Sequence, residues 1–245
     1  MDQQVPQEFI LEAFADPPSV RDVVKGILHT IFFHRFFPSV APRSREVLDV
    51  TLPYVADAEL DTMIERRVDE LAQQLDAERI NNYNNSAKTA IGGSRGGGGG
   101  AAGLGIGGVG GGGGGGDGRG TITVQFFEKK RRKAWYGGRD EEVCWESWTV
   151  KVTVAEPRTE SERAKVRAAM AQTLTATVMK LVTCVNSHKD HIPPITTSEA
   201  NPFPYQIHVS PSSGGGGAGG GAGDAAAPDA AAQARTGWTT RMGIY

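Results

Sequence analysis

Residues 145–154 read Trp-Glu-Ser-Trp-Thr-Val-Lys-Val-Thr-Val (WESWTVKVTV), and they decide what kind of fold this chain can adopt. Trp148, Val150, Val152 and Val154 alternate with Thr149, Lys151 and Thr153. A period of two puts the first set on one face of a strand and the second on the other. Just upstream, Ile122, Val124 and Phe126 alternate with Thr123 and Gln125 in the same way. Between these two strands lies Lys129–Glu142, which reads most simply as the long tip of a β-hairpin. The tip is unusual. Five bases, Lys129, Lys130, Arg131, Arg132 and Lys133, lead into Trp135 and Tyr136, then Gly137-Gly138, then Asp140, Glu141 and Glu142.

Outward from the hairpin, the chain alternates strands with helices. Glu8–Ala15 reads as a strand apolar on both faces, stopped by Asp16-Pro17-Pro18. Ser19 is placed to cap a helix, with Asp22 three residues on, and Val20, Val23, Val24, Ile27, Leu28, Ile31 and Phe32 recur at helical spacing before Pro38. Leu48, Val50, Leu52 and Tyr54 form a strand with one wet face, in which Pro53 marks an edge or a bend. Asp57 caps a second helix with the stripe Leu60, Ile64, Val68, Leu71 and Leu75. The third helix opens with the capping box Thr159-Glu160-Ser161-Glu162 and carries Met170, Leu174, Val178, Leu181, Val182 and Val185; Pro193-Pro194 forbids its continuation. Tyr205, Ile207 and Val209 suggest a short strand, and Gly237–Tyr245 a last one. Strands and helices in this order, with a hairpin in the middle, suggest one α/β or α+β domain, and the α+β form is expected: three helices packed on a mostly antiparallel sheet.

Of the 33 glycines, 20 lie in Gly92–Gly120 and 8 in Gly214–Gly223. Polyglycine has much backbone entropy to lose and nothing to bury. Residues 92–120 and 210–236 are therefore expected to be disordered insertions within a single domain spanning 1–245. The glycine spacing at Gly103–Gly108 imitates a phosphate-binding fingerprint, but any spacing occurs by chance in such a tract, and no GK[ST] follows.

Catalytic and metal chemistry find little support. His29 and His34 are five apart and point in different directions around a helix, while His188, Asp190 and His191 lie in a loop expected to be solvated. Cys144 and Cys184 form no CxxC pair, and Cys144 has no basic neighbour in sequence to lower its pKa, so a small half-buried residue is the expectation. No charged N-terminus leads into an apolar run and no stretch reaches ~18 apolar residues, so the chain reads as soluble and from a reducing compartment. The sequon at Asn84 is accordingly expected to stay unmodified. Nothing here reads as an enzyme, and no cofactor is expected.

The basic run and its aromatic neighbours leave several readings open. Lys129–Lys133 fits a solvated tip, an import-like cluster, or a patch for phosphate or anionic lipid. Trp135 and Tyr136 fit membrane insertion, stacking on single-stranded bases, anchoring of a protein partner, or folding back on their own domain. A second aromatic cluster lies at the end of the first helix, where Phe32, Phe33, Phe36 and Phe37 cannot all face one core from one helix. Either some of them look outward at an interface, or the helix ends near Phe33 and the rest turn inward.

Taken together, VVKGILHTIFFHR (residues 23–35), the run Phe126–Lys133 leading to Trp135, the WExWTVKV segment, the helix opening Thr159-Glu160-x-Glu162 and the loop from His188 to Pro194 resemble the autophagy-related protein 101 family, HORMA-fold subunits of the autophagy-initiating kinase complex. The likeness covers nearly all of the chain outside the glycine tracts. It implies a HORMA fold whose hairpin loop carries an exposed aromatic finger that recruits downstream autophagy factors. Trp135 takes the finger's first position. Tyr136 takes the second, where the family has Phe, and no proline intervenes. The resemblance further implies pairing with, and stabilisation of, the HORMA domain of autophagy-related protein 13, with His34, Phe33 and Phe36 expected at that contact. The segment between Arg35 and Val47 is shorter than is usual in the family, and both glycine insertions are unusual. The implied function is a non-enzymatic adaptor in the cytoplasm, recruited to the phagophore assembly site, with a weak contact to anionic membrane and no nucleic acid. The alternative is a peripheral membrane or nucleic-acid binder acting through residues 129–136.

Overall fold

The computed structural model describes residues 5–38, 41–92, 118–131, 140–196 and 201–211. Among them the chain forms β1 (Gln7–Ala15), α1 (Val20–Arg35), β2 (Pro42–Val47), β3 (Val50–Val55), α2 (Ala58–Gly92), β4 (Gly118–Arg131), β5 (Asp140–Val154), α3 (Glu160–Ser187) and β6 (Tyr205–Pro211). This is the expected α+β architecture, compatible with a HORMA-like fold. The strand expected at Gly237–Tyr245 lies outside the described residues, as does most of each glycine tract.

The main sheet has the order β1-β5-β4-β6. β4 pairs antiparallel with both β5 and β6, and β1 pairs parallel with β5. Alternation sorts the side chains: Trp148, Val150, Val152 and Val154 of β5 and Ile122, Val124 and Phe126 of β4 are buried on the helix-bearing face. The other face presents Thr121, Thr123, Thr149, Lys151 and Thr153, and Thr123 and Thr149 join their hydroxyls across the strands at 3.2 Å. β1 obeys the same rule. Phe9, Leu11, Ala13 and Ala15 face the core, whereas Ile10 is 47% exposed beside Glu8 and Glu12. This corrects the expectation of a strand apolar on both faces, because among the described residues no layer covers the second face of the sheet there.

α1 is the hub. It packs against β1 and β5 on one side, β2 and β3 on another, and α2 and α3 beside it. Its whole expected stripe is buried, and so are Gly26, His29, Thr30 and Arg35. A helix buried nearly all round needs layers on more than one side, and the second layer is a hairpin that sequence periodicity half missed. Leu48 and Asp49 are not strand residues; they form a turn with φ of 50° and 65°, joining β2 to β3 as a separate two-stranded sheet. Gly26 is what lets α1 lie against this hairpin: a Cβ there would stand 2.7 Å from Leu52 Cδ1. Gly120 has the same use where β4 meets α2, since its Cβ would come 2.7 Å from Leu71 Cδ1. β4 begins at Gly118, two residues before the expected end of the glycine tract at Gly120.

One cap differs from expectation and two are formed as expected. The Ser19 side chain makes no cap bond; instead Asp16 Oδ1 accepts from Ser19 N at 3.1 Å. At α3 both halves of the Thr159/Glu162 capping box are present, and at α2 Asp57 Oδ1 accepts from Leu60 N at 2.8 Å. α3 buries Met170, Leu174, Thr177, Leu181 and Val185 and runs along the edge of β1, where Thr177 Oγ1 and Lys180 Nζ donate to the carbonyls of Glu12 and Ile10. By length and composition α3 would also be long and apolar enough to cross a membrane, its most apolar window averaging a mean hydropathy of 1.3.

Candidate functional site

The hairpin of β4 and β5 is where the expected site residues sit, and its geometry changes halfway along. Phe126 pairs with Glu146 and Phe127 with Cys144, so Trp145 is an extra residue on β5, a β-bulge. A bulge re-aims the side chains around it. Here it lets two consecutive residues, Trp145 and Glu146, both be buried. Trp145 lies among Phe126, Phe203 and His191, with ring centroids 5.9, 5.2 and 5.7 Å away.

Glu146 is fully buried, and a buried carboxylate persists only when it is paired and hydrogen-bonded. Arg35 Nε, at the last residue of α1, donates to both of its oxygens at 2.8 and 2.9 Å. Trp148 Nε1 donates to Oε1, and His191 Nε2 stands 2.6 Å from Oε2. Arg35 also reaches the carbonyls of His34 and His188. One carboxylate thus ties together α1, β5 and the loop after α3. The loop was expected to be solvated. That holds for His188, which is exposed, but His191 is half-buried and committed to Glu146. Sequence reasoning passed over this knot, although period two places Glu146 on the core face with Trp148, an acid where the pattern demands an apolar residue.

The aromatic cluster closing α1 folds against the same region. Phe32 is wholly buried, 5.5 Å from Phe126 and 4.8 Å from Tyr205. Phe36 packs edge-on to Tyr205 and Phe37 edge-on to Phe203, with Phe37 still 37% exposed. Phe33 and Phe36 are half-buried against the core. His34 is half-buried too, its pKa lowered by desolvation and by the neighbouring Arg35 charge. The helix ends at Arg35, so the cluster neither stays on one stripe nor turns wholly inward.

Beyond the bulge the hairpin loses β1 and β6 as neighbours. The pairing of β1 with β5 starts at Glu146, and that of β6 with β4 stops at Phe126. Residues 127–131 and 140–144 therefore form a two-stranded arm, its root fixed by Phe127 N donating to Pro204 O at 2.8 Å. The two ends of the expected long loop, 129–131 and 140–142, are strand. In register, Lys129 faces Glu142, Lys130 faces Glu141, and Arg131 faces Asp140. The reason is visible in the sequence only once the register is known: basic entry and acidic exit are cross-strand partners. Arg132, Lys133, Trp135 and Tyr136 lie outside the described residues.

Two smaller features complete the inventory. Between α1, α2 and β3, buried His29 stands 3.2 Å from Asp61 Oδ1 and 4.3 Å from the Tyr54 ring. Lys25 pairs with the same Asp61 at 2.8 Å. Burial lowers the His29 pKa to about 4, against the opposing pull of Asp61. Cys144 is half-buried as expected, and burial pushes its thiol pKa up. Among the described residues no group of three or more His, Cys, Asp or Glu could hold a metal ion.

The model of the family described as autophagy-related protein 101 matches residues 12–199. Proteins of that name are similar to this chain across kingdoms. The one from Schizosaccharomyces pombe is 26% identical over 193 residues, covering 78% of this chain and 80% of the relative. The Arabidopsis thaliana protein is 22% identical over 225 residues, covering 84% and 86%. The Homo sapiens protein is 24% identical over 188 residues, covering 77% and 75%.

Proposed function

The chain belongs to the autophagy-related protein 101 family, with the role in autophagy that membership carries, and from that premise we propose that it is a non-enzymatic adaptor of autophagy initiation. In this reading it pairs through the end of α1 with the HORMA domain of autophagy-related protein 13, His34, Phe33 and Phe36 contributing to the contact. It presents Trp135 and Tyr136 at the end of the arm to downstream autophagy factors, and it works within the autophagy-initiating kinase complex in the cytoplasm, at the site of autophagosome formation.

The observation that supports this reading best is the arm. Two strands leave a four-stranded sheet and run on without strand neighbours among the described residues, carrying between their ends the only adjacent Trp-Tyr pair in the sequence. A large aromatic pair joined to a fixed root through a narrow ribbon suits recognition by a partner, where Trp and Tyr dominate contact energy. Their neighbours Lys133 and Arg139 would have to be desolvated for the pair to pack into the domain.

A pull-down tests it. The full chain and its Trp135→Ala/Tyr136→Ala variant serve as baits, each in complex with the HORMA domain of autophagy-related protein 13. The variant is expected to keep that partner and its melting behaviour, changing stability by no more than the ~0.5 kcal/mol of surface substitutions. It should lose the downstream factors. A large drop in stability would show that these aromatics are core residues.

The alternative, a basic-aromatic patch for anionic lipid or single strands, finds less support in the register. Lys129, Lys130 and Arg131 each stand opposite an acid, and Lys130 Nζ also lies 3.2 Å from Glu128. Binding that falls steeply with salt would favour that alternative.

A further inference from the structure

A two-stranded ribbon without sheet neighbours is marginal on its own. The arm leaves the body at the Phe126/Phe127 bulge, and past that point neither β1 nor β6 supports it. Few apolar side chains are available to hold it together: after Phe127 its first strand reads Glu-Lys-Lys-Arg, and its second opens Asp-Glu-Glu-Val. What the register supplies instead is charge of opposite sign at each successive pair. Strand alternation puts Lys129 and Glu142 on one face of the ribbon and Lys130 and Glu141 on the other. Each face therefore gains an attraction, and neither collects a single sign.

We infer that Lys129, Lys130, Glu141 and Glu142 are positioning residues: the opposite charges that the register sets across β4 and β5 keep the arm as a ribbon and set the direction in which it presents the residues between its ends. The inference deepens the adaptor reading, because the residues so presented are Trp135 and Tyr136, but the pairing itself does not depend on what they bind. It also gives the basic run a use that requires neither a membrane nor a nucleic acid. Opposite charges directly across an antiparallel pair are favourable and like charges are not, so reversing one strand converts every attraction into a repulsion, while reversing both restores it.

The test uses the full chain in complex with the HORMA domain of autophagy-related protein 13. Amide hydrogen exchange is followed at residues 128–131 and 140–144, alongside capture of downstream autophagy factors. In the variant Glu141→Lys/Glu142→Lys, exchange across the arm is expected to quicken at least tenfold and capture to weaken. Exchange in β1 and α1 should not change. In the fourfold swap, which adds Lys129→Glu and Lys130→Glu, both readouts return towards wild type. Unchanged exchange in the first variant, or a swap that fails to restore slow exchange, overturns the inference. Restored exchange without restored capture would also overturn the positioning role, since these charges would then be touching the partner themselves. A normal exchange pattern with undiminished capture by Trp135→Ala/Tyr136→Ala would instead defeat the adaptor reading and leave the cross-strand charge matching standing.

Discussion

At the scale of single residues, two buried ionisable groups hold this protein in opposite ways. Glu146 is charged and saturated: Arg35, Trp148 and His191 together occupy both of its oxygens. Removing its charge leaves the Arg35 guanidinium buried without a counter-charge, and breaking a buried pair on one side costs about 3–5 kcal/mol. Glu146→Gln is expected to lose stability in that range by chemical denaturation, although it keeps nearly the same shape. A loss below about 1 kcal/mol would mean that water reaches the knot. His29 is the converse, a histidine kept neutral by burial. Its folded pKa of about 4 lies below the unfolded 6.5, so the unfolded chain takes up the proton first as pH falls. The stability is complete above about 6.5, declines between 6.5 and 4, and levels off below, for a total of about 3 kcal/mol. The charges facing His29 are Asp61, Lys25 and Arg45. Against the opposing pull of burial, the Asp61 pKa is itself lowered by its bond to Lys25, and that of Lys25 is raised, so neither moves into that window. Denaturation midpoints of His29→Gln should therefore fall less between pH 7 and pH 4.5 than those of the wild type. Neither role was legible beforehand, because sequence spacing names the residue but not the partner arriving from 32 or 111 positions away.

At the scale of elements, most of the architecture could be read from period and punctuation. The stripes of α1 and α2 are buried as expected, and the α3 capping box is formed as its spelling implied. The failures share one cause, that strand pairing is non-local. Pro42–Val47 reads PRSREV, exposed but for Val47, and carries no alternation that would mark a strand. It is a strand because β3 pairs with it and covers α1. Leu48 continued the apolar alternation of β3 and so looked like strand, yet the chain reverses there with positive φ at both Leu48 and Asp49. Such a turn favours Asn-Gly, since L-residues meet steric resistance at positive φ. Asp49→Gly is expected to raise stability by about 0.5–1 kcal/mol. The exposed Asp49–Arg167 contact at 3.9 Å that it removes offsets little of this. A destabilised variant would show that Asp49 holds the turn by a bond of its own. The arm repeats the lesson: a composition of bases, aromatics and acids suggested a loop, and only the register shows that both of its ends are ribbon.

At the scale of the molecule, three layers account for the division of labour. A sheet with one polar face, a central helix buried on nearly every side and an outer hairpin give a body whose core is closed. The features that the adaptor reading assigns to partners sit where elements end: the aromatic close of α1, and the arm that continues β4 and β5. Both converge on the Arg35–Glu146 knot, which fixes the last residue of α1 against the strand that carries the arm. Family membership supplies the autophagy context, while the adaptor reading rests on this placement. The measurement that tests it most directly is the mass of what elutes when the full chain and the HORMA domain of autophagy-related protein 13 are mixed at micromolar concentration and passed through a sizing column with light scattering. The account predicts a single one-to-one complex, with a higher melting temperature than either chain alone; separate elution of the two proteins would contradict it.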